Sequence, residues 1–360
     1  MANIEAKGAS PFYPGQPVPT SFFVGRQREI ALLSQALTQV QHGKPQAIFI
    51  TGEYGIGKSS LARLVITLAE HHYRILGIHT SLANCKDIGD IGVATTHAIL
   101  ERNDLSKVKN LQSLFKDYIS ELTLFGVKVN VNKLKEDKIE TAVQYLKLLK
   151  NVLMKSEDFC GLVIVFDEIN GIAEKQEFAF FLKELVDQNA LNKEPLPLFL
   201  ILCGTDQRRS QIIQNHPSVD RIFEIASLDV MTQQESDNFF KNAFNSVNIL
   251  IDEDILPLFY HFSGGFPKLM HSIGERAYWL AEKHVNSEIA LKAIIEAGVD
   301  IGRKFLDPKV FAAIRNKEYQ ALLNKIAKMS FGVSFSKVEV TDNLTEKEKK
   351  LFDTFYKYLF

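Results

Sequence analysis

The apolar positions of the chain fall into short unbroken runs separated by stretches with helical spacing. Ala47-Ile48-Phe49-Ile50, Gly161-Leu162-Val163-Ile164-Val165-Phe166 and Leu198-Phe199-Leu200-Ile201-Leu202-Cys203 are apolar throughout. Parallel strands covered on both faces have this pattern. Tyr73 to Thr80 and Ile222 to Ile225 read as two further strands. Between the runs the period lengthens. Ile30, Leu32, Leu33, Ala36 and Leu37 fall near one helical face, and helices are also predicted from Lys58 to Glu70, Thr141 to Met154 and Phe178 to Gln188. Strands alternating with helices predict an α/β fold, a doubly wound parallel sheet with right-handed crossovers, over residues 23–228.

After Leu228 the strand pattern stops. Thr232-x-x-Glu235 is a capping box opening a helix. Helical stretches through Leu256, from Leu269 to Glu282 and from Ser287 to Ala297 then predict an α-helical lid over residues 229–300. Residues 301–360 read as a small C-terminal region, helical or a partial winged helix, with helices at Glu318 to Met329 and Thr345 to Tyr358. A complete winged helix would need a wing hairpin where the sequence reaches Phe360. Four prolines between residues 8 and 22 preclude a regular helix, so residues 1–22 are expected to form an extended arm. Val127 to Val131 alternates with period two inside an inserted region spanning about residues 84–140, and predicts a hairpin.

Composition changes this picture little. With 42 basic and 43 acidic residues the formal charge is −1, so no global basic field announces nucleic acid. Within residues 301–360, 12 Lys and Arg against 7 Asp and Glu leave a local excess of +5. The cysteines Cys85, Cys160 and Cys203 are far apart and odd in number, which suits buried free thiols in a reducing cytosol. No run approaches ~18 apolar residues and the N-terminus lacks an apolar signal core, so a cytoplasmic protein without membrane spans is expected.

The chemistry begins at Gly52-Glu53-Tyr54-Gly55-Ile56-Gly57-Lys58-Ser59, a G-x-x-x-x-G-K-S/T loop placed between an apolar strand and a helix. Gly52, Gly55 and Gly57 let the backbone curl around phosphates, with Tyr54, Ile56 and Ser60 completing the cradle. Lys58 is expected to reach the β- and γ-phosphates of ATP and Ser59 to ligate Mg²⁺. The helix N-terminus adds its partial positive charge. Asp167-Glu168 follows a fully apolar run. An acid at a strand end can join the Mg²⁺ shell, and the next can orient and deprotonate the attacking water. Thr205, at the end of the Leu198 run, is a candidate γ-phosphate sensor; alternatively Thr205 or Asp206 caps the helix through Gln214. Arg221 follows the Asn215-His216-Pro217-Ser218 turn and is a candidate arginine finger for a neighbouring subunit, with Arg208 and Arg209 ranked below it and a solvated loop arginine as the other reading. Pro267 suits the first turn of a helix, and Lys268 beside it is placed to reach a nucleotide; a plain turn–helix start is the alternative.

Taken in order, Phe23-Val24-Gly25-Arg26, Gly52 to Ser59, Asp167-Glu168, Gly204-Thr205, Arg221 and Gly265-Phe266-Pro267-Lys268 resemble the AAA+ ATPases over about residues 11–300. The group resembled joins initiator-type, origin-recognition-like ATPases with STAND-like ones. The resemblance implies that Val24, Gly25 and Arg26 border the adenine, that Asp167-Glu168 is Walker B, and that Thr205 is sensor 1. Two departures bear on rate. Lys268 stands where an initiator-type lid often has arginine, keeping the charge but losing the planar fork. The Gly265-Phe266-Pro267 form looks more like STAND switches, and Thr205 replaces the asparagine more usual in processive motors. The expected function is therefore a slow ATP-hydrolysing switch that assembles as a homo-oligomer through a shared site and controls a partner protein or DNA. The alternatives are a DNA-binding initiator or loader, and a nucleotide-stabilised adaptor for a separate effector in a bacterial defence module.

Overall fold

The structure of the chain, a computed structural model, describes residues 7–101, 141–156, 158–304, 314, 316–329 and 336–359. Two compact units are present: Pro17–Asp229, and Met1–Gln16 together with Val230–Phe360. In the first, five strands alternate with helices: α1 (Gln27–Gln41), β1 (Gln46–Thr51), α2 (Lys58–His72), β2 (Ile75–Ser81), α3 (Ile88–Leu100), α4 (Ala142–Met154), β3 (Gly161–Asp167), α5 (Gln176–Leu191), β4 (Leu198–Gly204), α6 (Asp206–Asn215) and β5 (Glu224–Ser227). The strands form one sheet in the order β2-β3-β4-β1-β5, every pair parallel.

The apolar runs become the centre of this sheet because both faces are covered. Every residue of β3 and β4 is buried. Leu162, Ile164 and Phe166 pack in one cluster with Tyr145, Leu149, Phe178 and Leu185 from α4 and α5. On the alternate positions, a Cβ on Gly77 would lie 2.5 Å from Ile66 of α2, and one on Gly161 would lie 3.1 Å from Val40 of α1. Helices therefore approach from both sides, as the run-and-period pattern predicts. Strand limits shift by one or two residues, most at the outer strands: β2 runs from Ile75 to Ser81 rather than Tyr73 to Thr80, and β5 from Glu224 to Ser227 rather than Ile222 to Ile225. The alternation at Val127 to Val131 lies outside the described residues.

The second unit is helical. It contains α7 (Gln233–Asn245), α8 (Leu256–Ser263), α9 (Pro267–Leu280), α10 (Ser287–Ile301), α11 (Lys317–Ile326), α12 (Lys337–Asp342) and α13 (Glu346–Leu359). The capping box at Thr232 and Glu235 forms in both directions and starts α7. Two features were not anticipated from the period: a parallel pair, β6 (Leu250–Ile251) with β7 (His284–Val285), and the short α12, which has its own capping box at Ser336 and Glu339. Leu322, Val340, Leu344 and Phe352 give α11 to α13 a small core.

The N-terminal arm differs most from expectation. Residues 7–16 are part of the helical unit rather than a free lead-in to the sheet. The Phe12 ring, 4% exposed, stands edge-on to Phe239 at 5.8 Å and Phe244 at 5.0 Å, centroid to centroid. It also fills the space left by a missing side chain, since a Cβ on Gly274 would come within 2.2 Å of the ring. Tyr13 donates its backbone N–H to His271 Nδ1 at 3.1 Å, and Tyr278 donates its hydroxyl to the Gly8 carbonyl at 2.7 Å. Lys7 donates to the Tyr278 and Ala281 carbonyls at the end of α9, where its charge complements the helix dipole. Burial pushes the His271 imidazole down to about 4, so the ring is neutral near pH 7 and Nδ1 is available to accept.

Two substitutions test this packing. Phe12→Ala removes a buried ring from a tight aromatic cluster, and is expected to lower stability by ~3–5 kcal/mol, read as a fall in the denaturation midpoint. An unchanged midpoint would mean that the arm is undocked in solution. Gly265 has φ +68°, and a Cβ there would lie 2.1 Å from the Met231 carbonyl oxygen, whose own N–H is tied to the Gly265 carbonyl at 2.8 Å. Gly265→Ala is expected to lower the melting temperature markedly, through left-handed strain and backbone overlap together.

Candidate nucleotide and metal site

All five strands run the same way, so their C-terminal ends meet along one edge of the sheet. The register is specific. Ser81 of β2 lies beside Asp167 of β3, and Thr51 of β1 lies beside Gly204 of β4. The loop after β1 leaves the sheet with φ +144° at Gly52, +88° at Gly55 and +106° at Gly57, so that α2 starts at Lys58. At Gly52 a side chain would also meet the Leu228 carbonyl oxygen at 2.7 Å. Lys58 folds back over the loop and donates to the Gly52 and Glu53 carbonyls at 2.8 and 2.9 Å. Burial lowers the pKa of its ammonium, against the opposing pull of nearby groups that include Asp167, Glu53 and Asp206.

Two side chains tie the loop and the start of α2 to the segment before α1. Arg26, 6% exposed with φ +63°, donates from its guanidinium to the Ile56 carbonyl at 3.3 Å. Ser60, on the first turn of α2, accepts the Val18 backbone N–H at 3.1 Å. Of the residues expected to border the nucleotide, Gly25 adopts φ +77° and Ile56 is buried, while Tyr54 is 71% exposed. Pro267 and Lys268 belong to the helical unit, where they form the first turn of α9.

Asp167 ends β3 and is 5% exposed. Its Oδ1 accepts the Glu168 backbone N–H at 2.9 Å, and its Oδ2 lies 3.2 Å from His79 Nε2. Burial alone would raise its pKa; hydrogen bonds from His79 and Ser59, with the His79 charge and the Glu168 N–H, outweigh it and hold the carboxyl below its usual value. The group is therefore ionised near neutral pH. Glu168 follows in the left-handed region, φ +55° and ψ +45°, a conformation costing ~1–2 kcal/mol for a residue with a side chain. Its Oε2 accepts the Ser81 hydroxyl at 2.7 Å. Such local strain is commonly kept where it places a functional group.

Thr205 caps α6, accepting the Arg208 N–H at 3.4 Å, so the capping reading of this residue is observed. Capping uses one acceptor position of the hydroxyl and leaves its proton. Neighbouring Asp206 accepts the Thr51 hydroxyl at 2.8 Å. Arg221 closes the short 3₁₀ turn Pro217–Arg221 and is exposed. The three arginines expected to compete for one role differ in their surroundings. Arg208 is bonded to Glu174 and Gln211, and Arg209 to Asp220, whereas Arg221 has no ion pair among the described residues.

Sequence reasoning missed His79, Ser81 and Thr51. The signal was present in part: in a parallel sheet, polar residues ending the strand beside Asp167-Glu168 must lie next to those acids. Ending β2 at Thr80 left Ser81 outside the strand.

The donor set suits a nucleotide with Mg²⁺. A hydroxyl, Ser59, lies in hydrogen-bonding reach of the ionised Asp167, a pair of hard oxygen donors of the kind Mg²⁺ takes beside phosphate. The positive-φ glycines form a backbone cradle directly before a helix N-terminus.

Comparison with known proteins agrees with this geometry. Residues 23–201 match the AAA ATPase domain family. Among solved structures, the chain is similar to the ORC2 protein of Aeropyrum pernix in its ADPNP–ADP complexes, with 12% identity, a TM-score of 0.57, and 84% of this chain and 74% of that one covered. It is likewise similar to a Walker-type ATPase of Pyrococcus abyssi, at 18% identity and a TM-score of 0.51, covering 85% of this chain and 80% of that one. A mutant RuvB of Thermotoga maritima gives 18% identity and a TM-score of 0.51 over 86% and 84% of the two chains. A curated relative, an uncharacterized HTH-type transcriptional regulator of Methanocaldococcus jannaschii, is 22% identical over 251 residues. That match takes in 66% of this chain and spans only 57% of the relative's length. The sheet order, the phosphate loop and the family match lead to one statement: residues 23–201 are an AAA ATPase domain, carried in a chain with the AAA+ P-loop fold.

Proposed function

We propose that this chain is an ATP-hydrolysing switch whose site is completed by a second copy of itself. The observation that carries the reading is the contrast among the arginines. Arg208 and Arg209 are held by acids of their own chain, while Arg221 is exposed on a turn with no ion pair among the described residues. A cation left in water on a turn can complete a neighbour's phosphate site at little desolvation cost within its own subunit.

Each residue has a part in this reading. The Gly52–Ser59 backbone and Lys58 bind the phosphates, with Lys58 exchanging its loop carbonyls for phosphate oxygens. Ser59 and Asp167 hold Mg²⁺, which neutralises charge on the phosphates. Glu168 orients the attacking water and takes its proton. Ser81 occupies one oxygen of Glu168 and limits its rotamers, which keeps the dilute protein slow. Thr205 retains a hydroxyl proton that can report on the γ-phosphate, and Val24, Gly25 and Arg26 contribute to nucleotide binding.

A DNA-binding initiator is the second reading, favoured by the similarity to an HTH-type regulator. The charges of α11 to α13 weaken it. Lys325 pairs with Glu348, Lys337 with Asp353 and Lys349 with Glu346, so three lysines of the local basic excess are already matched. Binding to random duplex at low salt separates the readings, because non-specific contact is mostly phosphate charge.

Two kinetic outcomes are expected. The wild-type ATPase rate per subunit should rise with protein concentration, whereas Arg221→Ala should stay flat and fall by up to ~10³-fold at high concentration. Equal, concentration-independent rates for the two proteins would sink the shared-site reading. Ser81→Ala should raise the basal rate of the dilute protein with nucleotide affinity unchanged. A drop in that rate would show instead that Ser81 orients Glu168 productively.

A further inference from the structure

We infer that His79 is a positioning residue for the metal-side carboxylate, holding the Asp167 plane in the orientation that Mg²⁺ needs. This rests on the reading of Asp167 as the magnesium acid. Nothing in the sequence marks His79 for that task, since it sits in mid-strand, two residues before the end of β2.

The geometry assigns the role. Asp167 is buried, and a carboxylate oxygen facing a ring nitrogen accepts. The 3.2 Å contact with His79 is therefore a donated hydrogen bond, which requires the proton on Nε2. The other carboxylate oxygen is taken by the Glu168 N–H. With Ser59, the third donor, turned to the metal in this reading, two donors, one from β2 and one from the turn after β3, set the rotation of the carboxylate about χ2. Strand periodicity puts His79 and Ser81 on the same face of β2. One face of this edge strand consequently grips both acids, His79 on Asp167 and Ser81 on Glu168.

His79 is not a packing histidine. Its side chain is 28% exposed, and it lines a cavity of about 760 Å³ beside the edge of the sheet, together with Ser81, Lys86 and His97. Loss of the imidazole would leave a buried carboxylate oxygen short of a donor and free the carboxylate to turn. Outer-shell partners of metal ligands typically contribute ~10–100-fold in metal affinity.

The test is a Mg²⁺ titration of the full chain saturated with a non-hydrolysable ATP analogue, followed by a fluorescent nucleotide signal. Binding of the analogue in EDTA and the melting temperature in EDTA serve as controls. His79→Leu is expected to raise the Mg²⁺ concentration for half-saturation by ~10-fold or more, with both controls unchanged. His79→Gln, whose amide N–H can take the place of Nε2–H, should recover most of the loss. Asp167→Asn should raise the Mg²⁺ requirement at least as far as His79→Leu. If Asp167→Asn leaves the requirement unchanged, the assignment of Asp167 itself fails. If Asp167→Asn raises it and His79→Leu does not, the positioning role alone is overturned. Parallel losses of metal binding, EDTA-state nucleotide binding and melting temperature would likewise overturn it, as a folding effect. Should His79→Leu not fold, His79→Gln against the shorter His79→Asn reads the same difference.

Discussion

The hydrogen-bonded register of the parallel sheet is the constraint on which the site depends. Because every ladder is parallel, the chain must leave each strand at the same edge, and ligands of open α/β sheets collect there. The register then decides which side chains meet. With Ser81 beside Asp167 and Thr51 beside Gly204, residues far apart in sequence fall within hydrogen-bonding distance. A slip of one residue in β2 would turn His79 and Ser81 to the other face and leave both acids without their donors. The apolar runs of β3 and β4, buried at every position between the helices, anchor the centre of that sheet.

The site combines pre-organisation with restraint. Asp167 has its charge stabilised before any cation arrives, and Glu168 is held by a strained backbone and a side-chain bond. Lys58 rests on loop carbonyls and can transfer to phosphate oxygens without a change of fold. In the proposed reading, these contacts fix geometry at the metal side and defer reactivity at the water side. That division suits a protein in which nucleotide state carries information.

Much of this was legible in the sequence, for identifiable reasons. Unbroken apolar runs and a phosphate-loop spacing are local signals, and the fold and the Gly52–Ser59 and Asp167-Glu168 assignments rest on them. Partners contributed from another strand were not legible, because one residue in the predicted end of β2 separates Ser81 in the sheet from Ser81 in a loop. Thr205 shows the limit differently. A strand-end threonine before a helix suits capping and sensing equally in sequence, and the structure displays the capping bond. The prolines of the arm leave its described residues without an α-helix, with a 3₁₀ turn at Thr20–Phe22, but its destination depended on Gly274 leaving room for Phe12, which no local pattern announces.

That docking has a consequence for synthesis of the chain. Tyr13 and His271, joined by a hydrogen bond, are 258 positions apart. At ~5–20 residues per second, the arm leaves the ribosome on the order of ten to fifty seconds before its seat on α9 exists. The nucleotide unit, continuous from Pro17 to Asp229, can fold in that interval. The helical unit cannot, because its aromatic core is drawn from both sides of that unit in sequence. Until then Phe12 waits in water, flanked by Pro11 and Pro14, whose rings disfavour regular strand pairing and so discourage association with other nascent chains.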